Sequence, residues 1–78
     1  MENVLVFGVA SELIGCRSIG LPSEIDSVGK LRTFLYQRYP GLKSLNSLMV
    51  AVNRTYAEDD HPISGRDEIA VIPPVSGG

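Results

Sequence analysis

The sequence has one cysteine, one histidine, no excess of basic charge and no long apolar run. Cys16 has no possible partner within the chain, so no disulfide framework holds the fold and a reducing compartment fits. A lone small cysteine of this kind reads as a buried packing residue rather than a persulfide carrier. His61, in Asp59-Asp60-His61-Pro62, reads as part of a solvated loop because no fixed second cluster of ligands accompanies it. Glu58-Asp59-Asp60 lacks the spaced oxygens and the glycine of a calcium loop. No metal site is expected. A net charge of −2 argues against nucleic acid, which demands a basic face. No segment approaches the roughly 18 apolar residues of a membrane span, and Met1-Glu2-Asn3 lacks a basic leader, so the expected location is cytoplasmic with no membrane partner. There is no glycine-rich phosphate loop. The single histidine has no plausible nucleophile nearby with which to build a triad. The chain therefore carries no catalytic constellation of its own, and no bound cofactor is expected.

What remains is a one-domain composition: 78 residues, 44% apolar and 21% charged. The unbroken apolar run Val4 to Ala10 reads as a strand covered on both faces. Ser11 to Gly15 reads as one helical turn with Ser11 as cap and Gly15 as stop. Arg17 to Leu21 alternates and reads as a half-buried strand ended by Pro22, pairing with the first strand as a hairpin with a long connection. Val28, Leu31, Phe34 and Leu35 form one apolar stripe, which predicts a helix from about Val28 to Tyr39, capped by Asp26 or Ser27 and stopped by Pro40-Gly41. Tyr36 and Tyr39 read as packing groups near its end. Leu42 to Leu48 reads as a loop with a short turn. Leu48 to Val52 is a third strand, Asn53-Arg54 a tight turn, Thr55 to Ala57 a fourth strand and Glu68 to Ile72 the last. Arg66-Asp67-Glu68 reads either as an ordinary turn or as a charged rim contact. The order β-β-α-β-β-β, with first and last strands central, predicts an α+β fold of the β-grasp, or ubiquitin-like, kind: a mixed sheet of about five strands with one main helix on one face. Residues 1–72 form the domain and 73–78 an extended tail.

Two features point away from an inert module. First, Val4 and Val6 face one way and Leu5, Phe7 and Val9 the other, while Ile69 and Val71 oppose Ala70 and Ile72. One helix covers one face. Phe7, Ala70 and Ile72 are left as a patch suited to a partner, unless the Leu42–Leu48 loop folds over them. Second, Pro73-Pro74-Val75-Ser76-Gly77-Gly78 places a terminal carboxylate on a thin stalk that extends about 20 Å. The prolines favour polyproline geometry and lower the entropy lost on entering a groove. Gly77 and Gly78 admit close approach by another backbone. A carboxylate is a poor electrophile and must be activated, for example as a mixed anhydride with AMP, before it can be converted to a thiocarboxylate. This chain has no groups for that step, so another protein must perform it.

The run from Asp67 to Gly78, Asp-Glu-Ile-Ala-Val-Ile-Pro-Pro-Val-Ser-Gly-Gly, closely resembles the terminus of the small, sulfur-carrying subunits of molybdopterin synthase. The resemblance extends to Phe7 in the first strand, to Glu12-Leu13-Ile14-Gly15 and to Val50-Ala51-Val52-Asn53. It implies that Gly78 is adenylated by a ubiquitin-activating-like adenylyltransferase using ATP, thiocarboxylated with sulfur from a donor protein, and then presented to the large catalytic subunit in a heterotetramer. The tail, Pro73 to Gly77, would enter that subunit's active site, where sulfur passes to cyclic pyranopterin monophosphate and builds the dithiolene that later binds molybdenum. Thiazole synthesis, tRNA thiolation and ubiquitin-like protein modification are the alternative clients; Ser76 and the Pro-Pro step favour the first reading.

Overall fold

The computed structural model describes residues 3–45 and 48–73. The elements are β1 (Val4–Val6), α1 (Gly8–Ile14), β2 (Ser18–Ile19), α2 (Val28–Arg38), a 3-10 turn (Pro40–Ser44), β3 (Met49–Val52), β4 (Thr55–Tyr56) and β5 (Ile69–Ile72). They build one five-stranded sheet in the order β2-β1-β5-β3-β4. β1 and β5 pair in parallel at its centre, and the other pairings are antiparallel. This is the expected β-grasp, with α2 as the main helix.

The first strand is shorter than its apolar run. At Gly8 the backbone turns left-handed (φ +58°), a region open to glycine at no steric cost, and the chain enters α1. Ala10 then goes into the core, while Val9 and Leu13 face solvent. Continuous apolarity does not distinguish a buried strand from a strand that bends into a helix. Ser11 is not the cap. Phe7 holds that position, and the Ser11 hydroxyl donates to the Gly8 carbonyl at 2.7 Å. Gly15 does stop the helix, left-handed at φ +93°, donating its N–H to the Ser11 carbonyl.

α2 begins at Ser27, whose hydroxyl accepts from the Lys30 amide at 3.3 Å; Asp26 instead pairs with the Lys30 ammonium at 3.0 Å. The neighbouring amides are satisfied from across the chain. Val28 N–H donates to the His61 carbonyl and Gly29 N–H to the Asp59 carbonyl at 2.8 Å. A β-carbon on Gly29 would sit 3.1 Å from that carbonyl oxygen, a tight contact that glycine avoids. The Arg32 guanidinium adds a bond to the Leu48 carbonyl and an ion pair with Asp59. His61 thus serves by its backbone and stays exposed, as the loop reading expected.

Val28, Leu31 and Leu35 pack on Val4, Val6, Val50, Val52, Ile69 and Val71 in a single core. Complete burial of a leucine such as Leu31 stabilises by roughly 2–3 kcal/mol. Leu42 and Leu48 join this same core on the helix side. They therefore do not cover the opposite face of the sheet. Tyr36 and Tyr39 pack against the core edge, as expected of them.

Candidate functional site

The strand register decides what stands on the uncovered face. Leu5 is opposite Ala70, Ala70 opposite Ala51, and Ala51 opposite Tyr56, so these four form one row across the sheet. Met49 pairs with Ile72 in the next row, and Phe7 continues from Leu5 on the same side. Phe7 is 48% exposed and Tyr56 63%, large values for aromatic side chains in a small domain. A shallow depression on this face is lined by Leu5, Phe7, Ala51, Tyr56, Ala70 and Ile72, with Arg54 and Glu68 at its rim. The structure thus brings Phe7, Ala70 and Ile72 together. The sequence pattern did not identify Tyr56 or Arg54 as lining residues, because their position depends on the register of β4 against β3.

The base of the tail follows directly on β5. Phe7 N–H donates to the Val71 carbonyl at 3.1 Å, closing the central ladder beside the last residues of β5. Pro73 follows, half-buried, its ring 3.1 Å from where a β-carbon on Gly8 would stand. The base of the tail is therefore seated against the turn into α1. Pro74, Val75, Ser76, Gly77 and Gly78 lie outside the described residues.

A hydrogen-bonded clasp fixes the β3–β4 turn to the start of β5. The Asn53 side chain donates to Asp67 Oδ1 at 3.0 Å and accepts from the Glu68 amide at 3.0 Å. Ser64 N–H donates to Asp67 Oδ2 at 2.8 Å, and Asn3 Nδ2 donates to the Asp67 carbonyl at 3.0 Å. Arg66-Asp67-Glu68 is thus a turn, with Asp67 binding it internally and Glu68 reaching Arg54 at 3.6 Å. Bonds from Asn53 and Ser64 hold the Asp67 carboxyl below the usual carboxylate range. Its folded-state pKa is depressed, so its stabilising effect is present above the unfolded value of about 4 and is lost as pH falls through the folded value. Asp67→Asn should flatten the acid limb of a urea-midpoint titration between about pH 5 and about pH 2. An unchanged limb would place acid sensitivity elsewhere.

Cys16 is exposed, against the expectation of a buried packing residue. It follows directly on Gly15, which ends α1 in the left-handed region. Among the described residues no three His, Cys, Asp or Glu side chains gather into a metal-binding group, and no helix is long and apolar enough to cross a membrane.

Sheet order, helix placement and the open apolar face define a ubiquitin-like β-grasp domain. SAMP1 from Haloferax volcanii superimposes with a TM-score of 0.76 at 27% identity, over 96% of each chain. A putative molybdopterin converting factor, subunit 1, from Pyrococcus furiosus does so at 0.72 and 25%, over 92% of this chain and 94% of the other. Residues 4–78 match the ThiS family, and the chain belongs to it. Relatives named molybdopterin synthase sulfur carrier subunit include those of Caenorhabditis briggsae, 40% identical over 97% of this chain and 95% of the relative. The Homo sapiens protein is also 40% identical, over 97% and 92%. That of Escherichia coli K12 is 33% identical over the full length of both.

Proposed function

We propose that this chain is the sulfur carrier subunit of molybdopterin synthase and that its working atom is the terminal carbonyl carbon of Gly78. The observation that carries the reading is the family match running through Gly78, joined to a β-grasp whose uncovered apolar face adjoins the base of the tail. An adenylyltransferase of the ubiquitin-activating kind would dock the chain and use ATP to convert the carboxylate to an acyl adenylate, releasing pyrophosphate. Sulfur from a donor protein would then replace AMP and leave a thiocarboxylate. The large catalytic subunit would receive the charged tail along Pro73 to Gly77, in a heterotetramer, and pass sulfur to cyclic pyranopterin monophosphate. A dithiolene has two sulfurs, so two charged carriers serve each product.

Phe7, Ala70 and Ile72 form the docking patch in this reading, and the chain itself binds no cofactor and no metal. These steps take place in the cytoplasm and involve neither nucleic acid nor membrane. Cys16 has no part in the transfer: Cys16→Ser should sustain the same rate of sulfur transfer, and an inactive variant would revive a persulfide route.

Genetic replacement separates the clients. Expressed in a cell lacking its own molybdopterin synthase small subunit, the chain should restore molybdenum-enzyme activity. In a thiazole auxotroph lacking its carrier it should not restore growth. The reverse pattern would assign the chain to thiazole synthesis.

A further inference from the structure

Arg54 strains the backbone and adds little to stability. It is the second residue of the two-residue turn between β3 and β4, and both turn residues are left-handed: Asn53 at φ +51° and Arg54 at φ +71°. Asparagine tolerates that region and glycine occupies it freely, which is why Asn-Gly is the preferred pair in such turns. Arginine pays a steric penalty there through its β-carbon. Its side chain offers the fold little in exchange. The side chain is 87% exposed, and its ion pair with Glu68 is long, at 3.6 Å, and open to solvent. Exposed pairs of this kind contribute little. Yet the same residue stands on the rim of the apolar depression that holds Phe7, Tyr56, Ala70 and Ile72. Strain that persists without a structural return is a mark of function.

We infer that Arg54 is a specificity-determining cation of the docking face, which pairs with a carboxylate on the large catalytic subunit when that subunit covers the apolar patch. The inference rests on the carrier reading above. Covering the depression would remove water from around the guanidinium, where a planar, permanently charged fork suits a carboxylate better than any other side chain here. The loose pair with Glu68 leaves the guanidinium donors available for the partner.

The two roles of Arg54 predict opposite signs in one variant. Arg54→Gly creates Asn-Gly and should leave the melting temperature unchanged or raise it by up to about 5 °C. It should also weaken binding to the large subunit by about fivefold or more at low salt, and flatten the salt dependence of that binding. Arg54→Gln keeps the β-carbon and removes the charge. It should weaken binding equally with no change in melting temperature. Lys43→Gln, on the exposed 3-10 turn, makes the same change in net charge and should leave binding as it is. Unchanged affinity and salt slope in Arg54→Gln would overturn the proposal while leaving the carrier reading standing. A fall in stability that matches the fall in binding in both Arg54 variants would assign the residue to the fold and overturn it too. If the unaltered chain does not bind the large subunit, the carrier reading falls and takes this proposal with it.

Discussion

A chain that lacks Gly78, or that is extended past it, should fold normally and transfer no sulfur. The fold should be indifferent to the change because, among the described residues, the buried core runs from Val4 to Val71. The chemistry is not. In the proposed chemistry, activation, sulfur loading and delivery all act on one carbonyl carbon, and each partner would meet that carbon at a fixed distance from the docked sheet. Removing one residue withdraws it by about 3.5 Å. Displacements near 1 Å can already cost about a hundredfold when reacting groups are held in place. An added residue converts the terminal acid of Gly78 into an amide, which ATP cannot adenylate. Sulfur transfer in a reconstituted system, followed alongside a thermal melt, checks the result. Retained transfer in either variant would remove every carrier reading, including those with other clients.

Ile72→Arg separates docking from stability. Ile72 is half-buried on the open face, beside Phe7 and opposite Met49, and takes no part in the core. An arginine there reaches water in the free chain, so the melting temperature should fall by only a few degrees, on the order of 1 kcal/mol. In the complex the same charge is trapped against apolar surface without a designed partner, which costs several kcal/mol. Affinity for the large subunit should fall by about a hundredfold or more. Phe7→Ala should act in the same direction and more weakly, through lost contact area alone. Titration calorimetry against the large subunit, with a melt of each variant, measures both effects. Unaltered affinity in Ile72→Arg would mean that the partner docks elsewhere and that the patch is incidental.

These two results test what was legible in the sequence from opposite ends. The patch was legible because β-strand alternation assigns faces without a structure: Leu5, Phe7, Ala70 and Ile72 fall opposite to Val4, Val6, Ile69 and Val71. Helix α2, the Gly15 stop and the Asn53-Arg54 turn were legible for similar reasons, each being a local pattern of three to five residues. The bend at Gly8 was not, since an apolar run gives no sign of where a buried strand turns into a helix. The exposure of Cys16 was hidden as well, because it depends on how the segment after α1 packs and not on the types of its neighbours in sequence. Tyr56 and Arg54 joined the site only through the pairing of β4 with β3. The clasp between Asn53 and Asp67 spans 14 residues and follows no period, so composition and spacing do not reveal it. In each missed case the controlling fact is a contact between distant segments.

Every step of the proposed chemistry meets at Gly78, and intact mass spectrometry of the protein isolated from its own cells reads that residue directly. The account predicts a population heavier by the difference between sulfur and oxygen, with the extra mass confined on fragmentation to Gly78 and removed on incubation with the large subunit and its pterin substrate. A chain whose Gly78 is found only as an unmodified acid, or joined through that glycine to lysine side chains of other proteins, would contradict it.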